Sequence, residues 1–249
     1  MQIQPTSRRA RRAAGRRGAG AARRAPGPGS APDGSRGRLL SAAAVEFAAH
    51  GFAGASVDRI AASARLNKAM IYYHFRSKRA LYGEILRDMF GAVGARVRGV
   101  AASSATPDQK IRGFIEAIAF EADARPHFPP IWFREVADGG HHLDVATVRQ
   151  ISAIVGMLAA MIDEGVRARR FQPINAFLLH AGIVGPLLLF FASGSLRSRI
   201  ARAGAKSLAL GRQEVIAHVQ RVTLGVLRGE LGDRRQETGD RRQELGAGS

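Results

Sequence analysis

The sequence predicts an all-α protein. Three observations carry that expectation: apolar residues recur at three- and four-residue spacing from Leu39 onward, residues that cap helices precede several of these runs, and no apolar–polar alternation of strand length occurs.

The elements follow in order. Leu40, Ala43, Ala44 and Phe47 share one helical face, and Gly51 after His50 is a stop signal. Ser56 caps a short second helix with Val57, Ile60 and Ala61 turned inward. A third runs from Asn67, again a cap residue, to Phe75. Ser77 opens a fourth, long helix with Leu81, Ile85, Met89, Val93 and Val97 on one side. The capping box "TPDQ", with Thr106 and Gln109 reciprocal and proline at the first helical position, starts a fifth carrying Ile111, Phe114, Ile115 and Ile118. "RPHFPP" at 125–130 breaks it, and "IWFREVADGG" then forms a short amphipathic helix ended by two glycines. A long helix is expected from Leu143 to Arg170 with Val148, Ile151, Val155, Leu158 and Ile162 on its inner stripe. A last one covers about 211–230, with Val215, Val219, Val222 and Val226 on one stripe beside Ile216 and Leu227.

The uncharged run 176–196, "AFLLHAGIVGPLLLFFASGSL", is long enough to raise a membrane span. His180, Pro186 and its internal glycines argue instead for a helix buried in its own core or against a second copy of the chain. Together with the last helix, it would then form a four-helix dimer interface.

Charge narrows the partners. The 249 residues carry 38 Lys and Arg against 20 Asp and Glu, a formal +18, which favours an acidic partner. Residues 1–38 hold ten arginines and one acid, Asp33, so half of the excess sits there; the last eighteen residues are neutral. "SRRARRAAGRRGAGAARRAPGPGS" lacks the apolar core of a secretory signal and is expected to be a disordered basic arm, either a solvated tail or a phosphate-binding extension. The tail "GDRRQETGDRRQELGAGS" is a tandem heptapeptide followed by small residues, also expected to be disordered. With no cysteine, disulfides, thiolate metal sites and Cys nucleophiles are excluded, and a reducing cytoplasm fits.

The segment "SVDRIAASARLNKAMIYYHFRSKRAL" joins capped short helices by turns of a few residues, the spacing of a helix-turn-helix. Leu66, Ile71 and Phe75 anchor the second of these helices, turning Lys68, Ala69, Met70, Tyr72, Tyr73 and His74 outward or to the flanks. Residues 36–80 hold eight Lys and Arg against two acids. Cations, tyrosine hydroxyls and helix N-termini are what phosphates bind.

"AAAVEFAAHGFAGASVDRIAASARLNKAMIYYHFRSKRALY" closely resembles the TetR/AcrR group of bacterial repressors over about residues 36–85, whose signature resembles V-S-K-G-T-L-Y-x-H-F-x-S-K. Beyond it, only helix order and pieces such as "FREVADGG" look similar. The resemblance implies that 67–75 is the recognition helix. Ser56 and Asn67 would bond phosphates, Lys68, Ala69 and Met70 would face base edges, Tyr72, Tyr73 and His74 would touch the backbone, and Lys78 would hold a further phosphate. Arg65 stands where the family usually has a turn glycine, so it either distorts the turn or adds a phosphate contact. Ala69 and Met70 replace the commoner Gly and Thr.

The resemblance also implies a homodimer on a palindromic double-stranded DNA operator, released by a small-molecule effector held in the C-terminal helices. Its organisation would be a disordered arm (1–35), a helix-turn-helix DNA-binding domain (36–82), a helical ligand-binding and dimerisation domain (83–230) and a disordered tail (231–249). Phe114, Phe120, Trp132, Phe133, Met157, Met161, Phe177 and His180 supply apolar surface for a pocket or for plain core; Trp132 and His180 add polar handles. His141 and His142 lack a partner acid at ligand spacing, so no metal and no cofactor is expected. No catalytic constellation is recognisable, and no enzyme is expected. The rival reading is a basic DNA-coating or membrane-associated protein using the arm and the 176–196 run.

Overall fold

The computed structural model describes residues 32–204 and 210–230. The arginine pairs of the basic arm and the heptapeptide tail lie outside those residues. Among the described residues every regular element is a helix: α1 (Pro32–Gly54), α2 (Val57–Ala64), α3 (Ala69–Phe75), α4 (Lys78–Ala101), α5 (Pro107–Ala124), α6 (Phe128–Ala137), α7 (Val145–Arg167), α8 (Ala176–Ala192), α9 (Gly194–Arg202) and α10 (Arg212–Arg228).

Helices α1 to α3 close on a small core of Leu39, Phe47, Ile60, Ile71 and Phe75, all buried. α1 starts at Pro32, inside the stretch expected to be arm, and it kinks at Gly51, whose φ of 68° favours a residue without a side chain. α4 is the strut between this unit and the rest: its first turns pack on α1 and α3, and its body lies along α5 and α7. α5 touches α4, α6, α7, α8 and α10 and forms the middle of the upper layer.

Several local signals hold. Ser77 Oγ accepts from Ala80 N at 3.1 Å, and the Thr106/Gln109 capping box is closed in both directions. At the end remote from α3, Asp108 accepts from Arg170 (2.6 Å) and pairs with Arg228, stapling α5 to the ends of α7 and α10. Burial pushes the Asp108 carboxyl up, but these two guanidiniums prevail and hold it below the ordinary carboxylate range.

Four expectations need correction. α6 begins at Phe128, within the expected breaker, because prolines in a first helical turn forfeit no intrahelical bond. In α7 the buried positions are Thr147, Ile154, Leu158, Met161, Ile162 and Gly165, while Val148 is exposed, so the expected stripe is out of register in its first half. In α10 the buried side is Ile216, Val219, Gln220, Thr223, Leu224 and Leu227, and Val222 is exposed. Both helices carry apolar residues around more than one face, which blurs the period.

The 176–196 run, finally, is not one rod: α8 bends by 63° into α9. Among the described residues, by length and composition, α7 alone, or the bent α8–α9 pair taken as one, is apolar enough to cross a membrane. α7 packs instead on α4, α5 and α8. α8 buries Leu179, Ile183, Leu187 and Leu188 and leaves Phe177, Leu178 and Leu189 open on its other side.

Candidate nucleic-acid interface

The turn between α2 and α3 sets the geometry of the candidate reading face. Ser56 caps α2 by accepting from Asp58 N and Arg59 N, and its own N–H donates to Glu46 Oε1 at 2.9 Å. Arg59 also bonds Glu46 (2.8 Å), and that hydrogen bond holds the Glu46 carboxyl below its usual range. Arg65 closes α2 in the left-handed region (φ 56°, ψ 44°), donating its N–H to carbonyls of the last turn. The turn therefore keeps the conformation a glycine would give, at a cost of about 1–2 kcal/mol, and the Arg65 side chain points to solvent.

α3 starts at Ala69, later than expected. Asn67 nevertheless serves its N-terminus, with Oδ1 accepting from Ala69 N at 2.8 Å. Ile71 and Phe75 point into the core, one turn apart. The opposite face carries Lys68, Ala69, Tyr72 and Tyr73, all exposed, Tyr73 by 75% and Tyr72 by 48%, with Met70 half-buried beside them. Two large aromatic rings standing in solvent between cations are not explained by packing.

Besides Ser56 and Asn67, three more expected contact residues have partners inside the chain. Lys68 Nζ meets Asp58 at 2.9–3.0 Å, and this hydrogen bond raises its pKa; the pair is exposed and free to exchange partners. Lys78 Nζ donates to Ala53 O (3.3 Å) and lies over the Phe52 ring. His74 is turned toward α1: its Nε2 lies 2.9 Å from Ser35 Oγ. Its role in the fold is thus to tie α3 to the beginning of α1.

A second candidate site lies between α4, α5, α6, α7 and α8. There Phe90, Val93, Ile118, Trp132, Ile154 and His180 surround a cavity of about 30 Å³. Burial pushes the His180 imidazole below its usual pKa, so it is neutral at pH 7. Phe114 lies edge-on to it at 6.2 Å. Of the other expected pocket residues, Met161 is buried in the core and Met157 is half-buried outside the cavity lining; Phe133 and Phe177 face outward, 36% and 66% exposed. Phe120 is also exposed, beneath the Arg96 guanidinium. Sequence reasoning missed Phe90 and Phe128, which pack edge-on at 5.7 Å, although Phe90 follows Met89 on a helix whose inner face had been identified.

Helix α6 links the two sites. Trp132 faces the cavity, and one turn later Glu135, 1% exposed, accepts from Tyr82 Oη (2.7 Å) and pairs with His142 Nδ1 (2.9 Å). Arg134 bonds Ala49 O on α1. The histidine that suggested a metal ligand is therefore part of a joint between α1, α4 and α6.

Known proteins complete this picture. The family described as "Bacterial regulatory proteins, tetR family" matches residues 39–85, which run from within α1 to the first third of α4. The HTH-type transcriptional repressor SCO4008 of Streptomyces coelicolor is 33% identical over 109 residues, 44% of this chain and 53% of that repressor. The chain thus spans about half the length of that relative. The HTH-type transcriptional repressor NicS of Pseudomonas putida is 29% identical over 164 residues, 64% of this chain and 76% of its own length. The fold is similar to that of the ketosteroid transcriptional regulator KstR2 of Mycobacterium tuberculosis, with a TM-score of 0.61 over 78% of this chain and 94% of that one at 23% identity.

Proposed function

We propose that the chain is a member of the TetR family of bacterial regulatory proteins, whose family model matches residues 39–85, and that it is a cytoplasmic, homodimeric transcriptional repressor that leaves its operator when a small molecule enters the α4–α8 cavity. One observation carries the reading: a capped helix-turn-helix presents Lys68, Ala69, Tyr72 and Tyr73 to solvent on the face of α3 opposite its core anchors. A helix of that width fits the major groove, where Lys68 and Met70 meet base edges and the tyrosine hydroxyls meet phosphates.

One such helix reads too few base pairs to be selective. The outer side of α8, with Phe177, Leu178 and Leu189 uncovered, supplies the surface for a second copy. A twofold pair then reads half-sites about 34–36 Å apart, one helical turn of DNA.

The effector is a compact, uncharged, largely apolar molecule with one hydrogen-bonding group for neutral His180. The cavity of about 30 Å³ is an order of magnitude smaller than pockets that enclose drug-sized ligands, so entry must part α6 from α8. Such a ligand favours a displaced α6, and through Glu135 and Arg134 that displacement reaches α1 and α4. Its preference for the displaced state sets its effect: about 1.4 kcal/mol lowers operator affinity tenfold.

The test is a gel shift of the full chain on duplexes selected from a random pool. Tyr72→Ala with Tyr73→Ala weakens binding with the dimer intact if this face reads DNA; unchanged affinity rejects it.

A further inference from the structure

An arginine stands at each end of α3, one in the turn before it and one in the turn after it. Both hold backbone conformations that side chains avoid. Arg65 lies in the left-handed region (φ 56°, ψ 44°). Arg76 (φ 65°, ψ −33°) is the middle of a three-residue turn in which Phe75 O accepts from Ser77 N at 2.8 Å. A turn closed in this way on a positive φ is rare and strained. The connection demands it, because α3 ends at Phe75, α4 starts at Lys78, and Ser77 must be extended to cap α4. Glycine would meet both turns without strain.

Neither packing nor pairing accounts for arginine at these two positions. Both side chains are exposed. Residues 36–80 hold eight cations, and five of them are held inside the chain: Arg36 by Glu84, Arg59 by Glu46, Lys68 by Asp58, Lys78 by Ala53 O and Arg79 by His141 O. The two acids of that stretch, Glu46 and Asp58, are thereby taken. Among the described residues Arg38, Arg65 and Arg76 have no such partner, and of these Arg65 and Arg76 flank α3. Strain by itself marks no site, for Arg169 (φ 56°) follows α7 at the end remote from α3. Position is what sets Arg65 and Arg76 apart.

The length of α3 gives that position a meaning. Seven residues make it about 10 Å long, close to the major-groove width of about 12 Å. Seated across the groove, with Tyr72 and Tyr73 toward the DNA, the helix has its ends at the two walls, which belong to opposite strands. A guanidinium beyond each end then meets a phosphate, and its planar fork matches two phosphate oxygens at once.

We infer that Arg65 and Arg76 grip one phosphate on each strand of the groove that α3 enters, and so fix how deep and at what angle the helix sits. The base edges that α3 reaches follow from that seating. The inference rests on the proposed reading of α3 as the DNA-binding helix.

Glycine is the substitution that separates binding from folding. In the full-chain dimer, Arg65→Gly with Arg76→Gly removes four phosphate contacts. On a selected duplex the slope of log affinity against log salt should become shallower by about three to four units, with affinity about tenfold weaker or more. The melting temperature should hold or rise by about 2–4 °C, since glycine takes these φ values freely. Arg169→Gly makes the same change of charge and backbone elsewhere, and should leave affinity and slope as they are. Methylphosphonates placed one at a time along both strands then locate each contact. The phosphate whose neutralisation weakens the unaltered chain but not Arg65→Gly should lie on one strand, and its counterpart for Arg76→Gly on the other. An unchanged slope, an equal loss with Arg169→Gly, or both phosphates on one strand overturns the inference. If Tyr72→Ala with Tyr73→Ala still weakens binding in that event, α3 remains the reader. A full chain that selects no duplex overturns both.

Discussion

Helices α3 and α8 both leave large aromatic or apolar side chains uncovered, and the two surfaces differ in kind. On α3, Tyr72 and Tyr73 stand among Lys68, Arg76 and Arg79, each ring ending in a hydroxyl. On α8, a helix without a charged residue, Phe177 and Leu178 near the start and Leu189 near the end are uncovered. The first surface suits a wet, anionic partner that takes hydrogen bonds at its rim; the second suits a dry partner of its own kind. On the proposed function, reading at the first surface depends on assembly at the second.

The largest effect should come from breaking the dry surface. Leu178→Arg with Leu189→Arg should give a folded monomer by light scattering, and operator affinity should fall at least a hundredfold because the second half-site is no longer tethered. A dimer that persists would show that α8 is not the shared face.

Next comes a probe of the layer that holds α8 in place. A Cβ on Gly165 would stand 1.9 Å from Phe171 Cδ2, so Gly165→Ala must expel the ring. A loss of about 3 kcal/mol in urea unfolding is expected, with partial recovery on adding Phe171→Ala.

The wet surface should yield less per residue. Tyr72→Ala with Tyr73→Ala should weaken operator binding about tenfold or more, roughly 1.4 kcal/mol, while melting temperature stays unchanged because neither ring is buried. Loss of stability instead would assign the tyrosines to packing.

Local chemistry explains how unevenly these surfaces were legible. Ser56, Ser77 and the Thr106/Gln109 box announce helix starts through side chains that bond amides two or three residues away, so short windows suffice. The outward residues of α3 follow from two anchors, Ile71 and Phe75. No comparable rule separates the sides of α8, where apolar residues face both the core and the open surface, or finds its bend into α9. The inward turn of His74 was equally hidden, because its partner Ser35 lies 39 residues away in a stretch expected to be arm. Arg65 shows the converse: an unusual residue in a left-handed turn whose backbone is nonetheless the expected one.

The smallest effect concerns His180. Burial lowers its pKa in the folded state below the unfolded value, so the unfolded chain binds the proton first as pH falls. Stability from this group is complete above about pH 6.5 and declines as pH drops from there toward the folded value. His180→Phe should flatten the dependence of urea midpoint on pH between 6.5 and 5, with His127, also lowered by burial, supplying the remaining slope. An unaltered slope would place His180 in a wetter site than the cavity between α4 and α8.

The central claim, that α3 reads DNA in pairs, is tested most directly by selecting duplexes from a random pool with the purified full chain and sequencing the survivors. The account predicts an inverted repeat whose half-site centres lie about one helical turn apart. Enrichment of a single unrepeated motif, or of nothing, would contradict it.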